Sequence, residues 1–298
     1  MSPNLSIRAL SKTYPNGTRA LKGISLDVPS GMFGLLGRNG AGKSTLMRIL
    51  ATLQEPDAGT IHLGDLDVVR QKEQVRETLG YLPQSFGFHP RVRAERLLEH
   101  FAVLKGLVEP GPRREVVEAL LRRTNLWDVR TQRVGTFSGG MRQRLGVAIA
   151  LVGSPKLIVV DEPTAGLDPE ERVRFLNLLS EIGEASAVVL STHIVEDVEE
   201  LCSNLAIIDR GEILLTGTPA RAIAELRGRI WRRSIRRDEL PGLEREQQVI
   251  STKLLAGQTI AHVYAETPPG AGFETVEPDL KDVYFAVMGG HYGAWAAA

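Results

Sequence analysis

Short apolar runs recur along the 298-residue chain, and their alternation sorts them into two kinds. LIVVD and AVVLST are apolar at both alternations, as strands buried on both faces of a mainly parallel sheet must be. ISLDV alternates apolar with polar, which suits an antiparallel margin with one wet face. LSIRAL, MFGLL, TIHL, LAII and EILLTG complete the strand set. DRGE, from Asp209 to Glu212, reads as the hairpin turn between the last two.

Helical spacing fills the gaps. KSTLMRILATL opens a helix that Pro56 and Gly59 punctuate. From Val92 to Asn125, RAERLLEHFAVLKGL and PRREVVEALLRRTNL have the spacing of two amphipathic helices separated by EPGP. They predict a helical insertion between two halves of the sheet. PEERVRFLNLLSEIG and IVEDVEELC predict two further helices in βα units. Beyond about Arg221 an arginine-dense stretch, RGRIWRRSIRR, precedes weak strand signals at QQVIST and TIAHVYAE and a last helix at LKDVYFAVM. The expected organisation is an α/β domain over residues 1–220, with its helical part at about 86–150, and a small α+β accessory domain over 221–298.

Composition narrows the class only slightly. Hydrophobic residues at 43% and charged residues at 24% are ordinary for a soluble globular chain. Lys+Arg and Asp+Glu both number 36, so the basic surplus common in nucleic-acid-binding proteins is absent overall. The single cysteine, Cys202, excludes a disulfide within the chain and is expected to be a small buried apolar residue in a reducing compartment. MSPNLSIRAL lacks the pattern of a secretory signal. No run of eighteen apolar residues occurs, so work at a membrane would need a partner.

The sharpest chemistry lies in GLLGRNGAGKST, Gly34 to Thr45, between a strand and a helix. Gly37, Gly42, Lys43 and Ser44 match the phosphate-binding pattern G-x-x-x-x-G-K-[ST], with Asn39, Gly40, Ala41 and Thr45 completing the cradle. Glycines let successive backbone N–H groups converge on one anion, and the helix N-terminus adds its own unpaired donors. Lys43 is expected to reach the β- and γ-phosphates, and the Ser44 hydroxyl to ligate Mg²⁺. LIVVDE then sets two acids at a strand end: Asp161 to support the metal and Glu162 to orient and deprotonate an attacking water. Two adjacent buried carboxylates are costly unless a cation or proton joins them. These features describe a P-loop NTPase.

TFSGGMRQRLGVAIAL, Thr136 to Leu151, narrows the class. Ser138, Gly139 and Gly140 can cap a helix while leaving N–H groups for an anion. Between the helical insertion and LIVVDEP, the segment resembles the signature motif of the ATP-binding cassette (ABC) ATPases. The resemblance runs from about residue 5 to 220 and implies further roles in chain order. Tyr14 in KTYPNGTRAL stands where the family stacks an aromatic ring on adenine. Gln84 in YLPQ matches the glutamine that links the Mg²⁺ site to a transmembrane partner. AGLD, Ala165 to Asp168, matches the loop touching the opposite subunit, and His193 in LSTH matches the switch histidine at the γ-phosphate. Phe137 and Met141 depart from the usual leucine and glutamine of the signature; the departure implies altered contacts near the ribose, with catalysis retained.

VEPDLKDVYFAVMGG and the stretch YLPQSFGFHPRVRAERLLEHFAVLKGL resemble ATPase subunits of bacterial exporters of drugs, lipids, polysaccharides or ions. The resemblance implies an ATP- and Mg²⁺-dependent ATPase that forms a homodimer, with a heterodimer as the lesser option, and serves separate transmembrane permease subunits from the cytoplasmic face. The alternative is an ABC ATPase acting on nucleic acid or the ribosome. Its best support is the cluster Arg227, Arg229, Arg232, Arg233, Arg236 and Arg237, but Asp238 and Glu239 adjoin it and Trp231 is its one aromatic residue. It reads instead as a solvated or partner-facing strand, and no nucleic acid is expected.

Overall fold

A computed structural model describes residues 5–85, 87–164 and 166–291; Ala165 of the AGLD loop and residues 292–298 lie outside the described residues. The chain begins with β1 (Leu5–Thr13), β2 (Arg19–Val28) and β3 (Gly31–Leu36), followed by α1 (Lys43–Leu50). Then come β4 (Ala58–Leu63), β5 (Leu66–Asp67), α2 (Lys72–Glu77) and β6 (Leu79–Leu82). The helical insertion holds α3 (Ala94–Leu104), α4 (Pro110–Arg123) and α5 (Gly139–Ala150). The chain returns through β7 (Leu157–Asp161), α6 (Pro169–Gly183), β8 (Ala187–Thr192), α7 (Val195–Leu201), β9 (Asn204–Asp209) and β10 (Glu212–Gly217). Last come α8 (Pro219–Glu225), β11 (Ile230–Ile235), α9 (Leu240–Glu246), β12 (Gln248–Leu255), β13 (Gln258–Tyr264), β14 (Glu274–Thr275) and α10 (Leu280–Met288).

The central six-stranded sheet has the order β10-β9-β3-β8-β7-β6, parallel except where β10 pairs with β9. Its inner strands β3, β7 and β8 are apolar at nearly every position because each face has a core of its own. Met32, Leu36, Ile158, Val160, Val188 and Leu190 pack on the side of α5 and α6. Phe33, Leu35, Leu157, Val159, Ala187 and Val189 pack on the side of α1 and the antiparallel sheet β2-β1-β4-β5. The expected mainly parallel core with an antiparallel margin is thus found. Cys202 is buried in the first core, where burial pushes its thiol up to about 12.

The DRGE turn joins β9 to β10 with Arg210 at φ 46° and Gly211 at φ 82°, the left-handed pair that matches strand twist in a two-residue hairpin. Two details differ from the sequence reading. β6 has the sequence LGYL, too short to announce itself, and a side chain at Gly80 would meet the Ala150 carbonyl at 2.3 Å. EPGP is not the separator between α3 and α4: α4 starts at Pro110 and takes Pro-Gly-Pro into its first turn. Proline sacrifices nothing there, since the first-turn N–H has no intrahelical acceptor. The break falls earlier, at Gly106 with φ 87°.

Beyond residue 217 the antiparallel sheet β12-β13-β11-β14 encloses a small core of Ile235, Leu243, Ala261 and Val263. The arginine-dense stretch forms β11 and its flanks, where Arg227 pairs with Glu277, Arg232 with Glu274, and Arg236 with Asp238 and Glu239. α10 then leaves this sheet. Leu280, Val283, Ala286 and Val287 join the same core as β3 and β8, and Lys281 makes an ion pair with Glu196 of α7. His262 Nδ1 lies 2.8 Å from Asp282 Oδ1, linking α10 back to β13.

Candidate nucleotide site

β3, β7 and β8 run parallel and end on one edge, so the residues after them gather there: the Gly37–Gly42 loop, Asp161 with Glu162, and Thr192 with His193. Crevices beyond the carboxyl ends of strands are where open α/β sheets bind ligands. A side chain at Gly37 would meet the Ile208 carbonyl at 2.4 Å, and one at Gly42, φ 110°, the Ala20 carbonyl at 2.5 Å. Only glycine can follow this path, and the path brings the loop onto the first turn of α1. There the N–H groups of Lys43, Ser44 and Thr45 have no hydrogen-bond acceptor among the described residues. Such a turn is suited to an anion.

Lys43 is buried, and its Nζ donates to the carbonyls of Gly37 at 2.7 Å and Arg38 at 3.1 Å. The same Nζ lies 3.1 Å from Glu162 Oε1, while His193 Nδ1 lies 2.7 Å from Glu162 Oε2. Glu162 therefore bridges a lysine and a histidine that stand far apart in sequence. Its backbone adopts φ 47°, a left-handed conformation that costs a non-glycine residue on the order of 1–3 kcal/mol. Its N–H donates to the Ser191 carbonyl at 3.0 Å, which helps hold it there.

Asp161 is 3% exposed, and its carboxylate has only hydroxyls, Ser191 and Ser44 (3.5 Å), as hydrogen-bond partners among the described residues. A buried carboxylate beside a hydroxyl, with no cation in ion-pair range among those residues, is a donor set that fits a hard divalent cation.

A cavity of about 910 Å³ opens over this edge, within the size range of small-ligand pockets. Tyr14, Asn39, Gly40, Gly42, Lys43, Ser44, Thr45, Gln84, Glu162 and His193 all line it. Gly37, Ala41 and Asp161 are buried and do not line it. Arg19, Arg38 and Arg210 also line the cavity, a cationic rim that sequence reasoning passed over. The turn residue Arg210 gave no chemical signal of its own. Arg38 also lies near enough to Tyr284 for its charge to act on the phenol, which brings α10 toward the Gly37–Gly42 loop; burial pushes the Tyr284 phenol up, against the pull of that guanidinium.

Tyr14 is anchored through its hydroxyl, 3.1 Å from Thr45 Oγ1 and 3.2 Å from Gln54 Oε1. Burial works to raise its phenol, but these bonds, with Arg48 and Lys12 nearby, hold it below the usual tyrosine range.

Ser138, Gly139, Gly140 and Asp168 do not line this cavity; they occupy a second place on the molecule. Ser138 caps α5, its Oγ accepting the Met141 N–H at 3.1 Å, and donates its own proton to Glu171 Oε1 at 2.9 Å. The Gly140 N–H donates to Glu171 Oε2 at 3.2 Å. Asp168 caps α6 by accepting the Glu171 N–H at 2.8 Å. Gln84 lies between the two places, lining both the large cavity and a smaller one of about 230 Å³ beside Gly139, Gly166 and Leu167. Phe137, one of the two departures, is buried in the helical core, and Met141 packs partly against it. Glu171 was not singled out in the sequence, where PEER reads as an ordinary acidic first turn.

A fold buried on both sides of a parallel sheet, a phosphate cradle and a capped S-G-G helix leave a narrow choice of family. The family model described as "ABC transporter" matches residues 21–165. The linearmycin resistance ATP-binding protein LnrL of Bacillus subtilis is 33% identical over 226 residues, covering 75% of this chain and 72% of its own. The daunorubicin/doxorubicin resistance ATP-binding protein DrrA of Streptomyces peucetius is 36% identical over 225 residues, covering 75% of this chain and 68% of its own. Among solved structures, an ATP-binding subunit of an ABC transporter superposes with a TM-score of 0.66 at 26% identity, over 74% of this chain and 92% of that one. A dimeric ATP-binding cassette in a post-hydrolysis state with ADP and Pi gives 0.66 at 24% identity over 72% of this chain and 98% of that one, a likeness of fold. The chain belongs to the ATP-binding proteins of the ABC transporter family, a family of ATPases with the P-loop fold.

Proposed function

We propose that the chain binds and hydrolyses ATP as the motor subunit of an exporter, driving separate transmembrane subunits through ATP-dependent dimerisation. One observation carries this reading. The donors of Lys43 and the α1 N-terminus face one cavity, and those of Ser138 and Gly140 do not line it. Two copies facing each other would bring each Ser138–Gly140 turn to the other's cavity, with Asp168 at the junction.

Within each cavity, Tyr14 presents its ring to the base and the Gly37–Thr45 loop holds the phosphates. Lys43 exchanges its contact with Glu162 for the β- and γ-phosphates. Ser44, Asp161 and Gln84 would hold Mg²⁺, which when bound neutralises phosphate charge. Glu162, steadied at Oε2 by His193, orients the attacking water and takes its proton. The exporter assignment draws on the resistance proteins among the relatives. A docking place for a membrane subunit is offered by a cavity of about 800 Å³ lined by Leu53, Tyr81, Phe101 and Leu104, in which Leu53 and Leu104 are exposed. No helix among the described residues is long and apolar enough to cross a membrane, so the chain would sit on the cytoplasmic face through that partner.

Mixing a Ser138→Arg chain with a Lys43→Ala chain tests the two-copy site. Each mixed dimer keeps one cavity with an intact loop and an intact opposing turn, so hydrolysis should rise above that of either parent. Mixed dimers that form but stay as inactive as the parents would refute it.

A further inference from the structure

Glu171 stands in an unusual place. Its carboxylate accepts from the Ser138 hydroxyl at 2.9 Å and from the Gly140 N–H at 3.2 Å, so one side chain engages two of the signature's anion-facing donors at once. The fit is close. A Cβ built at Gly140 would meet the Glu171 carboxyl carbon at 2.3 Å and its oxygens at 2.4 and 2.6 Å, so Gly140 leaves room for that group. The base of the side chain is fixed as well, because the Glu171 N–H is held by Asp168 at 2.8 Å. Next in sequence, Arg172 makes an ion pair with the buried Asp197, which also accepts from Thr164 Oγ1 at 2.6 Å. The backbone is braced, and the carboxylate at the end of its side chain is left to choose partners.

A carboxylate and a phosphate compete for the same donors. Both present oxygens to a hydroxyl and a helix-start N–H, and both gain from the positive end of α5. We propose that Glu171 is an internal competitor for the terminal phosphate at the Ser138–Gly140 turn, setting how much nucleotide is needed to close two copies together. The proposal rests on the two-copy reading above and adds to it a residue that resists closure. Displacement leaves the carboxylate another partner: Arg144 lies one turn beyond Gly140 on α5, its Nε is buried without a hydrogen-bond partner among the described residues, and the Glu171 charge is felt at its guanidinium. The competitor is thus an ion that can be moved aside without being stranded.

The test measures assembly directly. In a Glu162→Gln background, which retains nucleotide, sedimentation velocity gives the ATP concentration at half-dimerisation, and Glu171→Gln and Glu171→Ala are compared with that parent. Loss of a charge-assisted contact of this kind should lower that concentration roughly tenfold. Glu171→Ala should have at least the effect of Glu171→Gln, because the amide oxygen of glutamine can still accept. Thermal melts of the ATP-free chains identify any variant that fails to fold, and the other variant then decides. A midpoint unchanged or raised in the folded variants would overturn the proposal, marking Glu171 as a clip that aids closure. A parent that stays monomeric at saturating ATP would instead overturn the two-copy reading, and this inference with it.

Discussion

At the Lys43 loop a helix N-terminus meets a glutamate through a buried ammonium; at the Ser138 turn another helix N-terminus meets a glutamate through a hydroxyl and a backbone N–H. The first pairing is almost dry, with side chains 4% and 8% exposed, and joins opposite charges. The second lies at the surface, where Ser138 is exposed, and its donors are neutral. Removing one partner of a buried ion pair costs about 3–5 kcal/mol, whereas a hydrogen bond from a neutral donor to a charged group is worth roughly 1.5–3 kcal/mol net. The same motif of helix start and carboxylate is therefore a framework in one place and a latch in the other. Burial and charge, not sequence type, separate them.

Kinetics offers the largest test of that contrast. Glu162→Gln removes the proposed base and should lower ATP hydrolysis by roughly 10²–10⁴-fold with nucleotide still bound. Glu171→Gln touches no reacting atom and should hold the maximal rate within about tenfold of the parent. Equal losses in a steady-state phosphate-release assay would erase the distinction.

Stability offers the next. Lys43→Met leaves the Glu162 carboxylate buried with no lysine and should cost about 3 kcal/mol in urea unfolding. Ser138→Ala removes one helix cap and should cost about 1 kcal/mol. A reversed order would mean that the buried pair contributes less than its geometry suggests.

The smallest effect lies far from both places. His262 is held above the usual histidine range chiefly by its hydrogen bond to Asp282, with burial opposing and the charges of Asp282 and Asp279 adding support. A raised folded-state pKa gives stability that is fully present below the ordinary histidine value of about 6.5 and is lost as pH rises through the folded value. Melting temperatures of the wild type should therefore exceed those of His262→Gln most at acid pH, with the gap closing as pH rises. A gap independent of pH would show that packing, not protonation, joins β13 to α10.

Much of this was legible in the chain because the signals are local. A strand buried on both faces must be apolar at both alternations, so LIVVD and AVVLST declared the central sheet. The phosphate cradle needs glycines and a lysine within a few residues, so Gly37 to Ser44 declared itself too. Glu171 and Tyr284 were invisible for the opposite reason: each acts on a partner far along the chain, and an acidic first turn or a tyrosine on an apolar helix has an ordinary explanation. Phe137, flagged as a departure near the ribose, is absorbed by the helical core, a fact of packing that its motif position does not carry. β6, four residues long, gave no strand signal, and the start of α4 was placed too late because its prolines read as a break.

The last helix has a practical consequence. Because Leu280, Val283, Ala286 and Val287 fill the core shared with β3 and β8, a shortened chain ending near residue 220 would lose one wall of its own interior. Such a fragment would expose a greasy seam beside α7 and remove the tyrosine that stands near Arg38, so clumping and a slackened Gly37–Gly42 loop should arrive together. Whoever trims this protein to its ATPase motifs alone removes part of the ATPase core.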